Sequence, residues 1–228
     1  MYKIFFLLLI NFNLFSQTFH KQENLYTASE VPKKMTLQVK KERFFALLVP
    51  AVEKAHKNLF QNYIRIKKEM KNGTNIEEID KLKKRYRVKS DLELLYALKP
   101  HPQSLTLAQA AIESSWGTSR FFVKANNIFG MWSVNKHEKR IPARFKRNGV
   151  KTIWLRKFDS LEESVEAYYF LMGRAKAYKR FRKVCYETNN VHKMVKKLDK
   201  YSELGAEYGR RLSGVIRYNK LQKYDTYE

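Results

Sequence analysis

Apolar side chains recur at three- and four-residue steps along much of this chain, which commits it to amphipathic helices rather than sheets. Val52, Ala55, Leu59, Tyr63, Ile66 and Met70 form one such stripe, with Pro50 suited to a first helical turn and Gly73 to the end. Ile76, Ile79 and Leu82 continue it in a second, strongly basic helix. Asp91 is expected to cap a short run ending before Pro100, and Ser104 a helix from Leu105 to Trp116 closed by Gly117. Ser160 is expected to cap a helix carrying Leu161, Val165, Tyr168, Tyr169 and Met172. A last helix runs from about Ala206 to Leu221, with Tyr208, Leu212, Val215 and Ile216 on or near one face. One interruption has period two: 141–158 reads as a β-hairpin turning at Asn148-Gly149. The fold class is mainly α (α+β), with one small β-insertion and a helical N-terminal region.

Charge narrows the partners. Lys and Arg number 46 against 22 Asp and Glu, a formal charge of +24. Such a chain meets something anionic: nucleic acid, an anionic membrane or an anionic wall polymer. Cys185 is the lone cysteine, so an internal disulfide and a cysteine-rich zinc site are excluded. The five histidines show no i, i+4 pair, so no metal site and no cofactor are expected. The start, Met1-Tyr2-Lys3 followed by apolar Ile4 to Ile10, has the layout of a secretory signal peptide over 1–17. It is too short to span a membrane. The expectation is export, to a periplasm or outside the cell, which makes nucleic acid a poor partner and favours an envelope polymer.

Acidic residues are sparse in the middle of the chain. Between Glu93 and Glu138 only Glu113 occurs, in an apolar helix. Gln109 lies one turn before it and Trp116 three residues after, so both can share its face. A carboxyl in apolar surroundings beside an indole keeps its proton toward neutral pH, as a general acid requires. The other reading is a surface glutamate in an ordinary helix pair, weakened because no Lys or Arg lies three or four residues away.

Leu107-Ala-Gln-Ala-Ala-Ile-Glu-Ser-Ser-Trp-Gly-Thr-Ser-Arg-Phe121, followed by Asn126-Asn-Ile-Phe-Gly-Met-Trp132, resembles the glucosaminidase family of bacterial wall hydrolases, the mannosyl-glycoprotein endo-beta-N-acetylglucosaminidase-like domain. Lys157-Phe-Asp-Ser160 and Tyr178-Lys-Arg-Phe-Arg182 make the Bax-like branch the best fit. The resemblance covers roughly 85–222 and divides the chain into signal peptide 1–17, basic helical region 18–85 and glucosaminidase-like domain 86–228. It implies a lysozyme-like α-lobe beside a small β-lobe. It also implies cleavage of the β-1,4 bond after N-acetylglucosamine in peptidoglycan, with Glu113 as general acid. Gln109, Trp116, Asn126, Asn127, Phe129 and Trp132 become candidate substrate-binding residues. Either tryptophan could stack on a pyranose or serve the core, and Asn126, Asn127 and Gly130 could equally shape the cleft floor. Tyr201 resembles the family's cleft tyrosine, though a core position is an equal reading.

The sequence departs from the family pattern at the hairpin, where several members carry a second carboxylate. Lys139 to Lys157 holds no acid, and Glu138 lies just before it. Glu138 on a mobile loop and participation by the substrate's own acetamido group both remain open. Alternative readings are a lytic transglycosylase using the same glutamate, or a non-catalytic wall-binding protein.

Overall fold

The computed structural model describes residues 26–144 and 152–225. The signal-like segment 1–17 and the Asn148-Gly149 turn lie outside them. Helix α1, Leu37–Asn72, begins well before Pro50, which sits in its interior rather than its first turn. Proline there costs one helical hydrogen bond. Burial on both sides offsets it: Phe44 and Leu48 before Pro50, and Val52 and Ala55 after it, are fully covered. Thr36 caps the start by accepting from Val39 N, and Gly73, left-handed at φ 66°, ends the helix as expected.

Helix α2 spans Ile76–Tyr86 and α3 Asp91–Leu98. The cap of α3 is Ser90, not Asp91: Ser90 is extended and its hydroxyl accepts from Glu93 N at 3.2 Å, while Asp91 is already helical. Helix α4, Gln103–Glu113, is buried at every position from Gln103 to Ala111. Ser104 lies inside it and does not cap it. Its backbone N and hydroxyl both donate to the Asp225 carboxylate at 2.8 Å, so a residue from the far end of the chain supplies the anion that this helix start favours. The helix stops at Glu113, short of the expected Trp116.

After α5, Arg120–Ala125, strands β1, Arg140–Pro142, and β2, Trp154–Arg156, pair antiparallel with Arg140 opposite Arg156 and Pro142 opposite Trp154. The remaining helices are α6, Leu161–Arg174, with Ser160 as its cap; α7, Lys179–Glu187; α8, Val191–Val195; and α9, Ala206–Tyr218. Short 3₁₀ turns cover Lys176–Tyr178 and Leu221–Tyr224. The second replaces the expected last turn of α9, because Lys220 is left-handed at φ 52° and breaks the helix.

The main core joins α1 (Phe44, Leu48, Val52) to α4 (Leu105, Leu107), α6 (Val165, Tyr168) and α9 (Leu212, Ile216). A second cluster joins the far half of α1 through Tyr63 and Ile66 to Ile79, Leu94 and Leu98. The N-terminal helices therefore share their cores with the rest of the described protein. Each buried Leu or Ile contributes about 1.5–3 kcal/mol, so the long helix is anchored along both halves. No described helix is long and apolar enough to cross a membrane.

Candidate active site

The site begins where α4 ends. Glu113 is its last residue, and Ser115, Trp116 and Gly117 then run left-handed at φ 52°, 59° and 71°. A bulky residue there costs of order 1–3 kcal/mol. The turn is held from several sides. Trp116 N donates to Ala111 O, and the Ser114 hydroxyl accepts from Gly117 N, both at 2.8 Å. The Trp116 indole packs edge-on against Phe44 and Phe45 of α1, and Arg43 donates to Gly117 O at 2.8 Å. The chain is thus turned sharply away, leaving the Glu113 carboxyl at a helix end.

Among the described residues no cation pairs with Glu113. Its Oε1 accepts from the Tyr208 hydroxyl at 2.7 Å. Burial raises its pKa above the ordinary carboxylate range, and the Tyr208 hydrogen bond opposes that rise in part. The negative end of the α4 dipole also disfavours a carboxylate. Tyr201 stacks on Tyr208 with ring centroids 5.2 Å apart and planes at 10°, and Tyr178 lies 5.8 Å from Tyr201. All three phenols are pushed upward, first by burial and further by the Glu113 carboxyl, so they stay neutral donors.

A buried hydrogen-bond chain sets which Glu113 oxygen is left open to a proton. Gln109 donates from Nε2 to the Tyr208 oxygen at 3.0 Å, and its Oε1 accepts from the Tyr168 hydroxyl. The single Tyr168 proton is thus used, so the His101 Nε2 that lies 3.0 Å from the Tyr168 oxygen must be the donor. That tautomer is assigned by the bonding pattern. Burial drives the His101 pKa down to about 3, which keeps the ring neutral. Every link then donates toward Glu113: His101, Tyr168, Gln109, Tyr208. Oε1 is occupied as an acceptor, and a transferable proton belongs on Oε2.

Gln109, expected at the substrate, is fully buried and has both amide atoms bonded to protein, and it reaches the Glu113 carboxyl through Tyr208. Asn127 is likewise buried; its Nδ2 donates to Met131 O and Arg156 O, and its Oδ1 accepts from Met131 N. Asn126 ends α5 at φ 48° and donates to Phe158 O. Phe129 is buried and stacks on Tyr168 at 4.0 Å. These three build the turn that hangs the hairpin on the helices. Trp132 differs: it is 58% exposed and lines a cavity of about 1120 Å³ between the hairpin and α6. Glu138 lines the same cavity, its Oε2 3.1 Å from Arg156 Nε. Glu113 is not in that lining. Its link to the cavity is the turn Lys176–Tyr178, whose Lys176 lines the cavity and whose Tyr178 packs on Tyr201 in the ring stack that ends at Tyr208.

Removing the Tyr208 hydroxyl tests the relay. Tyr208→Phe deletes the bond that lowers the Glu113 pKa, so that pKa rises further. Activity that needs protonated Glu113 is lost as pH climbs through its pKa, so the alkaline limb of the rate profile moves to higher pH. The maximum also falls several-fold as the carboxyl loses its anchor. An unmoved alkaline limb counts against this placement.

Comparison with known proteins places the chain in a family. Residues 89–221 match the profile of the family described as Glucosaminidase, mannosyl-glycoprotein endo-beta-N-acetylglucosaminidase. The chain belongs to this family. It is 30% identical to Protein bax of Escherichia coli (strain K12) over 125 residues, 52% of this chain and 43% of that protein. It is 29% identical to the exo-glucosaminidase LytG of Bacillus subtilis (strain 168) over 140 residues, 58% of this chain and 49% of that one. The match therefore spans about half the length of these curated relatives. The catalytic domain of the autolysin Auto from Listeria monocytogenes superposes with a TM-score of 0.52 at 15% identity, covering 92% of this chain and 97% of that one, which shows a shared fold. The glucosaminidase match takes in Glu113, Glu138, Tyr201 and Tyr208 together. Among the described residues no group of three His, Cys, Asp or Glu could hold one.

Proposed function

We propose that this glucosaminidase-family protein is exported and cleaves the β-1,4 bond after N-acetylglucosamine in peptidoglycan, with Glu113 as the general acid. The observation that carries the reading is the Glu113 carboxyl itself: half-buried, without a cation partner among the described residues, and hydrogen-bonded on one oxygen so that the other is left to carry a proton. The apolar run at the N-terminus supports export, and the name of the Bacillus relative supports the glycan.

In the proposed reaction Oε2–H protonates the departing glycosidic oxygen. The sugar's acetamido oxygen attacks the anomeric carbon from the opposite face as that bond breaks, and forms an oxazolinium ion that keeps its N–H proton. The Glu113 carboxylate then takes a proton from water, whose oxygen opens that ring and leaves the configuration retained. Tyr201, stacked on Tyr208 beside the acid, is suited to steady the polarised acetamido group. Glu138 is not required on this route; its Oε2 lies 3.1 Å from Arg156 Nε.

Two measurements test the scheme. Mass spectrometry of muropeptides released from purified sacculi, after borohydride reduction, is expected to show reduced N-acetylglucosamine ends. Anhydro-sugar ends would mean a transglycosylase, and no release a wall-binding protein. Glu138→Gln is expected to cost less than ~10-fold in activity, whereas loss of a base acting through water would cost ~10²–10⁴-fold. A severe loss joined to an inverted product in NMR of fresh digests would replace participation by a base mechanism.

A further inference from the structure

The cavity of about 1120 Å³ between the hairpin and α6 has a charge pattern that hydrolysis of a neutral sugar chain does not require. Its volume is just above the ~300–1,000 Å³ range of small-molecule sites, so it has room for a branch of a polymer. Some of its charges are already committed: Glu93 pairs with Lys179 at 2.7 Å, and Glu138 with Arg156. Arg87 and Lys89, from the link between α2 and α3, and Lys176, from the turn after α6, line the same cavity. All three side chains are exposed, and among the described residues no carboxylate pairs with them. Free cations around a concavity focus a positive field and select an anion by charge.

The facing wall is the hairpin lobe, with exposed Trp132 and Val134. It offers an apolar surface beside the cations. It suits an amphiphilic chain with apolar side groups and free carboxylates. Lys176 opens the turn that ends at Tyr178, and Tyr178 packs on Tyr201, which stacks on the Tyr208 that bonds Glu113, so one run of packed residues joins the cavity wall to the carboxyl.

We propose that this cavity is a subsite for the peptide stem carried by the glycan, with Arg87, Lys89 and Lys176 reading its free carboxylates, so that the protein prefers peptide-bearing strands to bare ones. This inference rests on the glycan reading above. It extends that reading from the bond cut to the substituent recognised.

The test uses the full-length protein and three length-matched substrates. They are peptide-bearing strands, strands stripped of their peptides, and peptide-bearing strands whose free carboxylates have been amidated. The wild type is expected to cleave the first with kcat/KM about 10-fold above the other two, an advantage that shrinks as salt rises. The triple variant Arg87→Gln, Lys89→Gln, Lys176→Gln, with its fold checked by circular dichroism, is expected to lose that advantage. It should retain wild-type rates on stripped strands. Equal wild-type rates on all three substrates overturn the subsite while leaving the glycosidase reading intact. An equal loss by the variant on all three also overturns it, since the cations would then serve general attraction. A wild type inactive on every strand overturns the glycan reading, and this inference with it.

Discussion

Glu113→Gln is expected to lower turnover at least ~100-fold while leaving the fold intact, because the amide keeps the shape and has no proton to transfer. The surroundings make this substitution unusually mild for the structure. Tyr208 can donate to an amide oxygen as it does to Oε1, so the chain from His101 keeps its direction. The protein should in fact gain stability near neutral pH. Burial raises the pKa of folded Glu113, so its contribution is fully present below the unfolded carboxylate pKa and is lost as pH rises through the folded value. Glutamine carries no such loss. Thermal melts of the two proteins should therefore converge in acid and separate toward pH 7, with the variant the more stable. A folded variant that turns over at a near-normal rate would remove Glu113 from the chemistry. A variant less stable at pH 7 would contradict the desolvated carboxyl.

Glu113 was legible in the sequence because it is isolated. It is the only acid in a long apolar stretch, and that pattern survives folding. Caps set by neighbouring residues were legible too: Gly73 and Ser160 act within one turn of themselves. What stayed hidden is held together by distant residues. Tyr208 reads as one more apolar position on the stripe of α9, and its partner Glu113 lies 95 residues away. Ser104 has the form of a cap, but an anion 121 residues away completes that helix start, so local propensity gave the right place and the wrong group. Pro50 shows the same conflict, with burial of Phe44 and Val52 outweighing one missing hydrogen bond. Gln109 was placed beside Glu113 correctly by the helical period. That period says nothing of what occupies the far side, where Tyr168 and Tyr208 bury it.

Arg43 is the residue the sequence disguised most fully, as one of 46 cations, and its replacement should be among the most damaging to stability. It is completely buried on α1, and among the described residues no carboxylate pairs with it. Its guanidinium instead donates to four carbonyls: Gly117 at 2.8 Å, Thr27 at 2.8 Å, Ala28 at 3.1 Å and Glu30 at 3.1 Å. One fork thus ties the segment before α1 to the left-handed turn that follows Glu113. Arg43→Met keeps the apolar stem and removes every donor. Stranded buried acceptors cost about 1–3 kcal/mol each, and release of a desolvated charge offsets part of that. The net loss should be about 2–4 kcal/mol, lowering the melting temperature by roughly 5–15 °C in a chain of this size. Arg43→Lys should rescue little, since a single ammonium cannot span carbonyls set for a planar fork. Because Gly117 is one of the four, the strained turn should loosen as well. Assays well below the melting point should then show kcat reduced several-fold, with KM nearly unchanged. A melting temperature within about 2 °C of the wild type, or a lysine variant as stable as arginine, would show that the fork does not hold the turn.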